Sequence, residues 1–165
     1  GAFAHPPNSD AVLWFCRDIL PRILTQLPDL KFWVIGAEPP PEIKALASPV
    51  VRIMGHVPDV TPFLEKSRLS VAPLRYGAGV KGKMNQSLAY GLPVVATSVA
   101  AEGMFLKDGH SVMLADQPKD FAAAVVRLYQ DRFLWEKLSA AGLEVMTKYF
   151  SFNTARQALI DLVGP

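Results

Sequence analysis

One cysteine, no long apolar run and no surplus of either charge: what this sequence has little of sets the first limits on it. Cys16 is the only cysteine in 165 residues, which excludes a disulfide framework or a zinc cluster and fits a reducing compartment. It falls on the apolar face of a helical pattern, so it reads as a small buried hydrophobe. No apolar stretch reaches the roughly 18 residues that a spanning helix needs, so no transmembrane segment is expected, and no signal-peptide pattern is present. The 17 basic and 15 acidic residues nearly cancel and are scattered, so no nucleic-acid footprint exists. What is plentiful is apolar content, 50% of the chain, enough for one sizeable core without staples. The expectation is a single domain over residues 1–165. The opening GAFAHPPN has no initiating Met and reads as the tail of a strand, so the start is expected to cut into a first strand of a longer protein.

Along the chain, two periods alternate. Apolar residues at Val12, Leu13, Cys16, Ile19, Leu20, Ile23, Leu24 and Leu27 predict a helix, with Asn8 or Ser9 as its N-cap. The run from Leu30 to Ile35 is too short for a helix and predicts a strand buried on both faces. A short helix (Glu42 to Ala47), a strand (Val50 to Met54), a short helix (Val60 to Lys66) and a strand (Leu69 to Ala72) follow. A helix from Met84 to Tyr90 is stopped by Gly91, PVVAT predicts a further buried strand, and another lies near Val112 to Ala115. From Pro118 the pattern is wholly helical, with a last helix from about Phe152 to Val163. Trp135 and Tyr149 share spacing with core positions and read as structural. Strands alternating with helices imply a Rossmann-like parallel sheet covered on both faces, a three-layer α/β/α architecture, because parallel strands need crossover connections. Ligands of such sheets bind beyond the carboxyl ends of the strands.

One of those ends leads into RYGAGVKGKM, residues 75 to 84. Gly77, Gly79 and Gly82 leave backbone amides accessible just before a helix, whose first-turn amides lack internal partners and carry partial positive charge. Lys81 and Lys83 add full charges there. A diphosphate, which uses several donors at once, suits such a loop better than a carboxylate does; a flexible loop with solvated lysines is the plain alternative. Gly77, four residues, then Gly82 and Lys83 meet most of the P-loop pattern, but Met84 stands where a hydroxyl should hold Mg²⁺, and the loop does not follow the first strand. A dinucleotide fold needs G-x-G-x-x-G after strand one, and GAFAHP does not provide it.

At these residues a family resemblance is visible. PLRYGAGVKGKMNQSLAYGLPVVATSVAAEGM, with GHVPDVTPFLEKSRLSVAP before it, a following KDG, an early HPPN and a late KYFSF, resembles the C-terminal, donor-binding half of GT-B glycosyltransferases of the family-4 (group 1) type over almost the whole chain. The resemblance implies a nucleotide-diphosphate sugar as donor. Lys81 would act on the leaving phosphate, and the amides of Gly79, Val80 and Gly82, with Gly77 and Lys83, would surround the diphosphate. It further implies retaining, metal-independent hexosyl transfer with no separate cofactor. The acceptor, a sugar or lipid-linked glycan, would be held by an N-terminal domain that this chain lacks, so the isolated chain is expected to be inactive. Location would be cytoplasmic, with any membrane contact made through that other half. One departure stands out: the family's two glutamates, eight positions apart, fall on Ala78 and Gln86. Gln86 can still bond a ribose hydroxyl, without the charge that strengthens such bonds.

Smaller signals complete the candidate site. Arg75 is nearest the loop and is a candidate phosphate contact, the alternative being a surface ion pair. His56, after the third strand of the fold, lies where relatives place the nucleotide base. Glu102, after PVVAT, could orient a sugar hydroxyl or merely end a turn. His5 could lie against the diphosphate or face the other half; His110 reads as solvated. Two further functions remain open: a non-catalytic nucleotide- or partner-binding module, which loss of both glutamates would suit, and a P-loop-like NTP-binding domain.

Overall fold

The computed structural model describes residues 1–163, and its element order follows the alternation in the sequence. Helix α1 (Pro6–Trp14) runs into a π-helical turn (Phe15–Ile19) and then α2 (Leu20–Leu24). Strand β1 (Phe32–Ile35), α3 (Pro41–Lys44), β2 (Val51–Gly55), α4 (Thr61–Lys66) and β3 (Ser70–Ala72) complete the first part. Helix α5 (Gly82–Ala89), β4 (Val94–Ala96), α6 (Ser98–Ala101), β5 (Met113–Leu114), α7 (Pro118–Gln130), α8 (Arg132–Tyr149) and α9 (Phe152–Val163) follow. All strand pairs are parallel: β1 with β2, and β3 with β4 and β5.

Alternation along the strands divides the core into two layers. Val95 joins Phe15, Ile19, Ile23, Phe121, Val125 and Leu128 on the face covered by the π-turn, α2 and α7. Its neighbours Val94 and Ala96 point the other way, to Met84 and Leu88 of α5 and Met146 of α8. With period-two side chains, a strand whose three residues are all buried needs helices on both faces, and that is the three-layer arrangement the sequence predicts. Cys16 packs against the first layer, and burial pushes its thiol up to about 11, the behaviour of an inert small hydrophobe.

Departures from the expected boundaries have local causes. The first helix begins at Pro6, not Asn8 or Ser9, with His5 at the N-cap; a proline in the first turn loses no intrahelical bond and presets the backbone angle. That frees Asn8 for another use. The expected single helix to Leu27 contains a π-turn because Pro21 cannot donate to the carbonyl four residues back. Helix α6 was not expected; Thr97 caps it, its side chain accepting from the Ala100 amide at 3.2 Å. Trp135 is partly buried and its indole donates to the Arg68 carbonyl. Tyr149 is less enclosed than its spacing suggests, stacking on exposed Phe105 with ring centroids 4.3 Å apart.

Gly91 ends α5 at φ +67°, and a Cβ there would lie 3.1 Å from Ser139 Oγ and 3.3 Å from Leu143 Cδ1 of α8. Gly91→Ala therefore imposes both left-handed strain and crowding on the α5–α8 junction. It should destabilise the domain by about 1–2 kcal/mol, read as a lower urea midpoint with an unchanged slope.

Candidate functional site

Strand β3 delivers the chain to Pro73 and Leu74, both buried. The Leu74 carbonyl accepts a hydrogen bond from the buried Thr97 hydroxyl at the end of β4, which fixes where the loop leaves the sheet. Beyond that anchor the backbone is exposed. Gly77 and Gly79 adopt φ of +127° and +78°, a region that side-chain-bearing residues avoid. A Cβ on Gly79 or Gly82 would meet nothing within 4 Å, so a ligand can approach the main chain directly. From Gly77 to Lys83 no backbone amide donates to a protein acceptor among the described residues; the first inward-directed amides of α5 are those of Met84 and Asn85, both donating to the Lys81 carbonyl. Lys81 is the N-cap and offers no side-chain cap.

The two ammonium groups sit close together. Lys81 is 9% exposed, and its Nζ donates to the Gly79 carbonyl of its own loop. Lys83 reaches back to α1, its Nζ donating to Asn8 Oδ1. Desolvation, and then repulsion from Lys81, hold the Lys83 ammonium below its usual range. Among the described residues neither lysine forms a salt bridge. A cluster of two cations held by neutral oxygens, beside unused amides, is electrostatically incomplete without an anion.

The remaining candidates divide into those the fold gathers here and those it does not. Lys81, Lys83 and Gln86 line one cavity, whose rim also holds Gly1 and Asn8. Exposed His56 lines a smaller cavity of about 250 Å³ beyond the ends of β1 and β2, together with Gly1, Gly36 and Gly55. Val80 is exposed at the loop tip. Arg75 is turned aside: its Nε donates to Asp10 Oδ2 at 2.9 Å and its guanidinium lies 5.7 Å from the Trp14 ring centre, which is the surface ion pair weighed against a phosphate contact. His5 is exposed at the start of α1. Glu102 is exposed at the end of α6 and lines neither cavity. His110 is exposed, as expected. Sequence reasoning missed Asn8 and Asp10 as partners of the loop. They pair with residues 75 and 65 positions away, and no local pattern signals a contact at that range.

Comparison with known proteins bears on family and fold. The model for the family described as "Glycosyl transferases group 1" matches residues 1–131, and the chain belongs to that family. A curated relative, the lipopolysaccharide core biosynthesis glycosyltransferase LpsE of Rhizobium meliloti, is 26% identical over 149 residues. The match covers 86% of this chain but 44% of LpsE, so the chain spans less than half of that relative's length. Among solved structures, S. aureus TarM in complex with UDP, alpha-GlcNAc-glycerol and Fondaparinux superposes with a TM-score of 0.82 at 16% identity, over 98% of this chain and 34% of TarM. The C-terminal domain of the group 1 glycosyltransferase LpcC from Francisella tularensis superposes with a TM-score of 0.72 at 16% identity, covering 90% of this chain and 82% of that domain. The fold is therefore that of GT-B glycosyltransferases, and it superposes on the C-terminal domain of one of them.

The Lys83 environment carries a pH signature. A lysine whose folded-state pKa lies below its unfolded value of 10.5 binds fewer protons when folded, so stability rises with pH between the two values. As pH rises toward 10.5, wild type should gain more stability than Lys83→Met, measured by urea unfolding; parallel curves would show that Lys83 is not desolvated.

Proposed function

We propose that this chain is the donor-binding half of a glycosyltransferase that takes a nucleotide-diphosphate sugar. The observation that carries the reading is the run from Gly77 to Lys83, where unused amides, two ammonium groups without carboxylate partners and glycines facing open space coincide. In transfer, the bond between the sugar's anomeric carbon and the diphosphate oxygen breaks, and one to the acceptor oxygen forms. Negative charge grows on the departing oxygen. Lys81, already fixed against Gly79, and the aimed amides stabilise that charge more than the ground state, which lowers the barrier. These cations take the place that a divalent metal would otherwise fill, and the family resemblance makes the transfer a retaining, hexosyl one.

Around this centre, Gln86 on α5 meets the ribose and His56 flanks the base, since each lines a cavity beside Gly1. UDP bound to TarM supports a nucleoside diphosphate as the ligand class. The acceptor, and the group that receives its proton, belong to a separate domain in this reading, because the chain matches 44% of LpsE; the enzyme works in the cytoplasm. Ala78 and Gln86, in place of the family's glutamates, favour the second reading, a nucleotide-recognising module without transfer.

Calorimetry with UDP, GDP and ADP separates the two. One nucleotide should bind with Mg²⁺ omitted, and Lys81→Ala and Lys83→Ala should each weaken it on the order of tenfold to a hundredfold, the loss of one charge-assisted hydrogen bond. Failure of all three nucleotides to bind would refute the donor site. Sugar transfer by these 165 residues alone would refute the division of labour.

A further inference from the structure

Between α6 and β5 the chain forms a largely exposed loop, pinned at one point to the interior. Met104 is fully buried in the second core layer, and its amide donates to the Ala101 carbonyl. On either side of it the backbone is left-handed, with φ of +74° at Gly103 and +54° at Phe105. Gly103 takes that angle freely, whereas Phe105 is a bulky residue in a region such residues avoid. Burial does not compensate, because Phe105 is 65% exposed. Strain kept at a residue that gains so little from folding points to a function.

What the strained backbone achieves is an arrangement of rings. Phe105 lies flat on Tyr149, with centroids 4.3 Å apart and planes 11° from parallel, and Phe150 flanks it at 6.2 Å and 58°. The Lys148 ammonium stands 5.1 Å from the centre of the Tyr149 ring. With Tyr149 taken up by Phe105 and Lys148, the open face of the stack is the outer face of Phe105. Among the described residues, the side chains of Glu102, Lys107 and Tyr149 form no hydrogen bond or ion pair. Neither ring of the stack lines the cavity of the lysine pair or that of His56.

We propose that the Phe105–Tyr149 stack is a platform for a pyranose ring of a glycan chain. The face of an aromatic ring carries partial negative charge. The C–H groups on the flatter side of a pyranose carry partial positive charge, so the two faces attract. Two rigid rings meeting in this way lose little freedom on association. The sugar's hydroxyls then project sideways, toward groups that lack partners, which Glu102, Lys107 and the Tyr149 phenol supply. A protein partner would need a continuous surface of about 800 Å² with an apolar centre; the loop that presents Phe105 carries exposed Glu102, Lys107, Asp108 and His110 around it. Membership of a glycosyltransferase family makes a glycan the polymer this surface meets. The proposal uses no residue of the Gly77–Lys83 loop and does not depend on the nucleotide-binding reading.

The test is an amide NMR titration of the chain, without nucleotide, against maltohexaose, cellohexaose and mannohexaose. Glucitol, which has the hydroxyls but no ring face, is the control. At least one hexasaccharide should shift the amides of Phe105, Lys107 and Tyr149 with a Kd on the order of millimolar, and glucitol should not. Phe105→Gly removes the platform and relieves the backbone, so Tm should hold or rise while affinity falls about tenfold or more; Phe105→Trp should keep binding. Lys81→Ala should bind the glycan as wild type does, and loss of binding there would move the sugar to the glycine loop and overturn the proposal. It is equally overturned if no hexasaccharide shifts these amides, if Phe105→Gly binds as well as wild type, or if glucitol matches the glycans. Self-association of wild type that Phe105→Gly abolishes, read by analytical ultracentrifugation, would make a second copy the occupant and overturn it too.

Discussion

Two ammonium groups held by neutral oxygens govern the character of this surface. An ion pair would satisfy Lys81 and Lys83 internally and leave nothing for a ligand; a carbonyl and an amide oxygen position them without cancelling their charge. The cost is visible in Lys83, whose ammonium is held below its usual range by desolvation and by its neighbour. An anion placed beside both would offset the repulsion between them and compensate for the lost water. Arg75 shows the contrast within the same loop: paired with Asp10 and stacked over Trp14, its charge is spent on fastening the loop's entrance to α1.

That fastening matters because the loop has little else to hold it. Its start is tied to the end of β4 through Thr97 and Leu74, and its far end, in the first turn of α5, reaches α1 through Lys83 and Asn8. Between these ties the backbone follows positive φ at Gly77 and Gly79, which directs successive amides outward instead of into a turn. Preorganisation of this kind is what an electrostatic site requires, since donors that must first be ordered contribute less to the transition state.

Much of this was legible in the residues, and for physical reasons. The Val94–Ala96 run announces a strand covered on both sides because no polar residue interrupts it, and Gly91 marks the end of α5 because only glycine accepts that backbone angle cheaply. The glycines and lysines of the loop were equally plain. What the sequence hid lies in long-range pairings: Asn8 looked like a helix cap until Pro6 started the helix two residues earlier, and Asp10 carries no local signal of its bond to Arg75. Period and propensity act over one or two turns, whereas these contacts depend on how α1 packs beside the end of β3. The π-turn ahead of Pro21 was invisible for a smaller reason, since apolar spacing is nearly the same through an α- and a π-turn.

The eight opening residues connect the edge of β1 to the lysine pair. Gly1 and Phe3 bond to the edge of β1, Asn8 Nδ2 donates to the Ala2 carbonyl at 2.7 Å, and Asn8 Oδ1 then accepts from Lys83. A displacement of the segment along β1 is therefore transmitted to the lysine through a single side chain.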